Sequence, residues 1–183
     1  NMIKKIFFIF LFFFCFNLLH ADENIMILKL KSGDVVIQLF EDIAPNHVKR
    51  IKQLAKEKKY DGVVFHRVID GFMAQTGDVE FGNSNFESYD LKKVGTGGSE
   101  YSNLKSEFSN LPHDRGTLSM ARSNDPNSAN SQFFICFKDA SFLDSKYTVW
   151  GYVIEGMEFV DKIKLGEPPE DPDMIIKMEI VSK

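Results

Sequence analysis

Sulfur is scarce in this sequence, and no long run of one charge occurs in it. Two of its 183 residues are cysteines, Cys15 and Cys136. Cys15 falls in an N-terminal apolar segment, so the remainder holds a single thiol, which rules out an intramolecular disulfide framework. Lys and Arg number 22 against 26 Asp and Glu, a formal net charge of −4. Without a basic stripe, nucleic acid is not an expected partner. The four histidines are scattered, which argues against a metal centre and leaves His66 a structural residue. Gly95-Thr96-Gly97-Gly98 lacks the lysine and the strand-to-helix setting of a phosphate-binding loop.

The first 21 residues stand apart. Lys4 and Lys5 precede an apolar run from Ile6 to Phe16, and Ala21 precedes the acidic pair Asp22-Glu23. This is the layout of a secretory signal cut after Ala21. A permanent span needs about 20 apolar residues, and Asn17 and His20 break this run early, so an uncleaved anchor is the weaker alternative. Phe13 and Phe14 before Cys15 argue against a lipoprotein signal. The expected organisation is a signal peptide over 1–21 and one domain over 22–183, exported to the periplasm or secreted, with no stable membrane association after cleavage. Cys136, inside the apolar run Phe133 to Phe137, reads as a buried small hydrophobe, because no neighbouring base or positive charge activates it.

Along the domain, hydrophobic alternation predicts strands over Ile25 to Leu30 and Val35 to Phe40, turning at Lys31-Ser32-Gly33-Asp34. Further strands are predicted over Val63 to Val68, Phe72 to Gln75, Gly116 to Ala121, Ser131 to Phe137, Val149 to Ile154 and Ile176 to Ile180. A helix opens at Pro45, with Val48, Ile51, Leu54 and Ala55 inward and Lys49, Arg50, Lys52 and Lys56 on a solvated face. A second covers Met157 to Leu165, stopped by Gly166. Val79 to Gly98, rich in Gly, Ser and Asn, reads as a long flexible surface loop. The fold class expected is mainly β, a closed eight-stranded antiparallel barrel capped by two α-helices.

The stretch from Phe65 to Asp78 is chemically the most specific. Arg67 stands among apolar residues on one strand-like run, and Phe72, Met73 and Gln75 follow just after the turn at Gly71. If the runs pair, a guanidinium, an amide and an apolar floor meet on one surface. Phe133 and Phe134 alternate, so one belongs to the core and the other to a pocket.

Phe65 to Asp78, Ser119-Met120-Ala121-Arg122 and Asn130-Ser131-Gln132-Phe133-Phe134-Ile135 together resemble the signature blocks of the cyclophilin family of peptidyl-prolyl cis-trans isomerases. The resemblance spans nearly all of the domain and agrees with the strand count. It implies isomerisation of X-Pro bonds in proline-containing peptides and unfolded proteins, by a monomer that needs no cofactor, metal or nucleophile. It puts Arg67 on the catalytic arginine and Gln75 on the glutamine that helps place Arg67 or the substrate backbone. Phe72, Met73, Phe134 and Leu143 fall on the proline pocket, Gln132 on a further site glutamine, and Ala121 with Arg122 on the backbone that holds the substrate chain. Three positions depart from the pattern. Phe142 replaces a Trp that supplies an indole donor to cyclosporin, so weak cyclosporin binding is expected. Tyr147 replaces a frequent His at the pocket rim, and Arg122 a frequent Asn. The segment from Val79 to Val94 is longer than the usual link and is expected to shape the groove. A holdase using the same groove without meaningful turnover is the rival function.

Overall fold

The computed structural model describes residues 24–87 and 89–181. The predicted signal peptide lies outside the described residues. Eight strands and two helices follow one another as β1 (Ile25–Leu30), β2 (Gly33–Leu39), α1 (Pro45–Lys56), β3 (Arg67–Ile69), β4 (Met73–Thr76), β5 (Thr117–Met120), β6 (Phe133–Cys136), β7 (Val149–Glu155), α2 (Met157–Val160) and β8 (Lys177–Val181). All pair antiparallel in one sheet of order β3-β4-β6-β5-β7-β2-β1-β8.

Alternation fixes the register. Met26, Leu28 and Leu30 on β1 and Val35, Ile37 and Leu39 on β2 are buried, with Met26 opposite Ile37 and Leu28 opposite Val35. A slip of one residue would turn that whole set to solvent. The core centres on Phe133, whose ring meets Tyr60 at 5.6 Å and Trp150 at 5.3 Å, both edge-on. The closed barrel that was predicted is not closed by strand pairing: the eight-stranded sheet is curled and leaves a seam between its edge strands. β3 and β8 share no strand pairing; instead Val64 bridges Met174, Val68 bridges Gly166, and the Ile175 N–H donates to the Val63 carbonyl. Too few residues run in register at this seam for a strand, because Gly166 to Asp173 is a proline- and acid-rich connection.

Helix α1 begins at Pro45, where a missing N–H costs nothing. Its capping partner is distant in sequence: the Glu107 carboxylate accepts from the backbone N–H of Asn46 and of His47, each at 3.1 Å. The predicted inward face is buried, but Arg50 leaves the solvated face. It is 9% exposed, donates to the carbonyls of Ser102 and Asn130, and lies 5.1 Å from the Tyr101 ring. Helix α2 is shorter than predicted. After Val160 the chain continues in tighter turns, with Lys162 bonded to Phe159 and Ile163 to Val160, and these bury Ile163 without a longer helix.

The Val79 to Gly98 loop is pinned rather than flexible. Buried Asp78 accepts from the backbone N–H of Glu80 and Phe81 through Oδ1, and from Gly95 (2.7 Å) and Gly97 (2.9 Å) through Oδ2. Four backbone donors on one carboxylate close both ends of the loop onto β4. Gly97 has to be a glycine for this approach, since a Cβ there would lie 2.6 Å from Asp78 Oδ1.

Candidate active site

Sheet register assembles the site. Arg67 on β3 is opposite Gln75 on β4, Gln75 is opposite Phe134 on β6, and Phe134 is opposite Ser119 on β5. Residues directly opposite one another share a face, so these four form one row across the sheet. A parallel row, Ile69, Met73 and Cys136, lies two residues away on the same face. The intervening residues Val68, Ala74, Phe133 and Ile135 point the other way, into the barrel core. The alternation at 133 and 134 is thereby settled: Phe133 is core and Phe134 belongs to the site.

On the outer face Met73, Phe134, Cys136, Ala140 and Leu143 form a second apolar cluster, separate from the core, with Ile69, Phe72, Ala121 and Tyr147 packed at its margin. Leu143 arrives on a short 3-10 turn, Ser141–Leu143. Phe142 beside it is 61% exposed, and its ring meets Phe72 at 5.4 Å. Tyr147 meets Phe134 edge-on at 6.0 Å. Burial, then the carboxylates of Asp144, Asp114 and Asp139, push the Cys136 thiol up to about 12, so it acts as a hydrophobe here.

A polar hollow of about 280 Å³ adjoins this dish, lined by Gln75, Gly97, Ala121, Arg122, Asn130 and Gln132 among others. Its wall is a relay of amides: Gln75 Nε2 donates to Gln132 Oε1 at 3.0 Å, and Gln132 Nε2 donates to the Gly97 carbonyl at 2.8 Å and the Gly95 carbonyl at 3.1 Å. Gln75 is therefore held by Gln132, and among the described residues it makes no hydrogen bond to Arg67. The Ala121 N–H donates to the Gln132 carbonyl, so Ala121 offers the groove packing surface and not that donor. Arg122 lies 4.3 Å over the Tyr147 ring and donates to the carbonyls of Lys146 and Ser123.

Every residue expected in the site lies on this face: Arg67, Gln75 and Phe134 in the row, Phe72, Met73, Leu143 and Tyr147 about the dish, Phe142 against Phe72, and Ala121, Arg122 and Gln132 along the hollow. Of the two roles expected for Gln75, its bond to Gln132 leaves the one toward the substrate backbone, and on the Ala121-Arg122 backbone the Ala121 N–H is taken by the Gln132 carbonyl. Three residues escaped the sequence reading. His113 is fully buried and stacks on Phe134 at 6.3 Å, with Nδ1 2.9 Å from Asp144 and Nε2 2.9 Å from Ser119 Oγ. Asp78 organises the loop beside the hollow. Glu167 meets the Arg67 Nε at 2.8 Å. A Thr-Gly-Asp strand end was a visible signal for Asp78; nothing near His113 or Glu167 in sequence pointed to theirs.

The family model for cyclophilin type peptidyl-prolyl cis-trans isomerases matches residues 25–182. The chain belongs to the cyclophilins. It is 58% identical over 163 residues to a probable peptidyl-prolyl cis-trans isomerase of Brucella suis biovar 1 (strain 1330), covering 86% of this chain and 83% of that one. Peptidyl-prolyl cis-trans isomerase B of Escherichia coli (strain K12) is 41% identical over 141 residues, 72% of this chain and 79% of its own. Among solved structures, cyclophilin AquaCyp293 from Hirschia baltica superposes with a TM-score of 0.73 at 29% identity, covering 87% of this chain and 74% of that one. A cyclophilin-type isomerase of Cryptosporidium parvum, solved in the presence of the dipeptide Ala-Pro, gives 0.73 at 27% identity over 87% of this chain and 99% of that one. This cyclophilin is thus an enzyme, a peptidyl-prolyl cis-trans isomerase with the mainly β fold of its relatives.

Proposed function

We propose that this cyclophilin accelerates X-Pro isomerisation in chains that fold after export, with Arg67 as its catalytic residue. The observation that carries the reading is the row Arg67, Gln75 and Phe134 on the outer face, because it sets a fixed cation beside an apolar dish. Arg67 and Phe134 are two inter-strand spacings apart, about 10 Å at the backbone, a gap that an extended arginine side chain and a proline ring fill together.

Rotation about X-Pro is slow because the prolyl nitrogen shares its lone pair with the carbonyl, a barrier of about 18–20 kcal/mol. No bond need break. The dish of Phe72, Met73, Phe134 and Leu143 holds the ring, and Gln75 and Gln132 line the path of the substrate backbone. As the amide twists, its nitrogen regains a localised lone pair and becomes an acceptor. The Arg67 guanidinium, always charged, donates to that nitrogen in the twisted state and has no such acceptor in the planar one. An interaction present only in the transition state raises kcat. The relative solved in the presence of the dipeptide Ala-Pro supports a proline-containing ligand. The deciding experiment is a proline-peptide isomerisation assay of the protein beside Arg67→Ala; a fully active, folded Arg67→Ala overturns the mechanism.

The exported setting rests on residues 1–21, and the enzyme works there as a monomer on unfolded proteins of the periplasm or secretory route. N-terminal sequencing of the protein from a periplasmic fraction is expected to begin at Asp22; recovery with residues 1–21 attached to membranes overturns it. Phe142 has no indole N–H, so cyclosporin inhibition is weak, and Phe142→Trp strengthens it. Equal inhibition of both forms counts against that role.

A further inference from the structure

Arg67 has a partner on the side away from the dish. β3 pairs with β4 along one edge; along the other, Val68 and Gly166 exchange two backbone hydrogen bonds, of 2.8 and 2.9 Å. This pair of bonds fixes the chain at the residue just before Glu167. Gly166 itself has φ +146°, and a Cβ on it would lie 2.6 Å from Pro169 Cα, so the turn closes tightly on Pro168-Pro169. The far end of the connection is tied as well: the Lys164 N–H donates to Asp173 Oδ2 at 2.9 Å, and Lys164 pairs with Asp171. Glu167 is therefore delivered to Arg67 by backbone geometry, across 100 residues of sequence.

The contact is selective. Glu167 Oε2 takes the Arg67 Nε at 2.8 Å, while among the described residues the two Nη groups make no hydrogen bond. Both side chains remain about half exposed, at 43% and 53%. A bidentate pair across both Nη groups would occupy the donors a substrate needs. A single bond to Nε instead fixes the plane of the fork and leaves its outer edge open. Gln75, the other neighbour of Arg67 in the row, is committed to Gln132 and does not do this.

We infer that Glu167 is the positioning residue of Arg67, orienting the guanidinium so that its Nη donors face the prolyl nitrogen. The inference rests on the catalytic reading of Arg67. It predicts that Glu167→Ala lowers kcat about three- to fivefold, the scale of one partly exposed ion pair, with KM moved less than about twofold because the dish is intact. Glu167→Gln, whose amide oxygen still accepts from Nε, restores most of the rate. Raised ionic strength slows the wild type toward Glu167→Ala and leaves Glu167→Gln nearly flat. In an Arg67→Lys background, which has no Nε–H, Glu167→Ala has no further effect.

The test is steady-state isomerisation of one proline peptide by these variants, with thermal midpoints measured alongside. Unchanged or raised kcat in Glu167→Ala overturns the inference, as does a full drop in the Arg67→Lys background. If Arg67→Ala is inactive while Glu167→Ala is normal, the positioning role alone fails. If Arg67→Ala is fully active, the catalytic reading beneath it fails instead.

Discussion

Arg67 lies on β3 and Arg122 just beyond the end of β5, with β4 and β6 between those two strands. Arg122 donates Nε and Nη2 to the Lys146 carbonyl and Nη1 to the Ser123 carbonyl, and its plane covers the Tyr147 ring. Arg67 gives one donor, Nε, to one carboxylate. The first guanidinium gives three of its five N–H donors to its own chain and behaves as a strut for the rim. The second keeps unsatisfied donors at an exposed edge, which makes it available to a substrate. Residue type alone does not separate the two roles; the count of donors already in use does.

The largest test of that contrast is Arg67→Ala, expected to lower kcat/KM about 100-fold or more, the scale of losing one donor aimed at transition-state charge. Its thermal midpoint should stay near wild type, since the Arg67 side chain is about half exposed. A loss of activity matched by unfolding would dissolve the contrast.

Asp78→Asn probes the frame on which the Arg122 side is built. The carboxylate accepts four backbone N–H groups, and an amide opposes some of them with its own donors. Stability is expected to fall by about 2–4 kcal/mol, from charge-assisted bonds of roughly 1.5–3 kcal/mol each that are partly replaced. Because Gly95 and Gly97 border the hollow, preference for residues flanking proline should shift as well, while turnover of a minimal proline peptide changes little. Chemical denaturation and a short peptide library read both effects. An unaltered preference would free the hollow from the loop's control.

Arg122→Ala comes next in size. Loss of a partly exposed cation–π contact is worth about 0.5–1 kcal/mol, so KM should rise about two- to fivefold with kcat nearly unchanged, as Tyr147 loosens against Phe134. A kcat effect as large as that of Arg67→Ala would show that both guanidiniums touch the reacting amide.

What the sequence made legible follows from range. Strand alternation is local, so the number and order of the strands and the inward face of α1 could be read directly. The third strand, expected over Val63 to Val68, runs instead over Arg67–Ile69, because Val63 and Val64 make only isolated bridges to Asn83 and Met174. The tight β3–β4 turn puts Arg67, Met73 and Gln75 on one surface with no long-range information. Phe134 was open as core or pocket on alternation alone, and the family pattern selected it. The parts that were not legible depend on contacts between distant segments. Arg50 looks solvated in helical periodicity, yet the carbonyls that bury it are Ser102 and Asn130. The loop after Asp78 has the composition of a flexible segment, and one carboxylate holds both of its ends. Gln75 looks free to serve Arg67 until β6 brings Gln132 beside it. The Glu167 contact arises only where the last connection closes the barrel seam.

The smallest expected effect concerns pH, and it bears on the scaffold under both arginines. Burial disfavours the imidazolium forms of His47 and His66, and holds both below the ordinary 6.5; Glu107 and Asp78 offset this in part. The unfolded chain therefore takes up these protons first. Stability is full above about pH 6.5 and declines as pH falls below it, levelling off beneath the folded values. Burial alone raises the Glu107 carboxyl, but hydrogen bonds from His47 and Asn46 outweigh it and leave it lowered. Its contribution is present above the ordinary 4.5 and is lost in a separate, more acidic window. Thermal midpoints between pH 7.5 and 5 should fall in wild type and fall less steeply in His66→Leu, whatever that substitution does to the midpoint at pH 7.5. Since His66 precedes Arg67 and packs near Gly95, where an added Cβ would meet its ring at 2.9 Å, the same acid step should loosen the hollow before the dish. Weakened preference for flanking residues at pH 5.5, with turnover of a minimal proline peptide retained, is the result that separates the two sides of the groove; parallel loss of both would make them one unit.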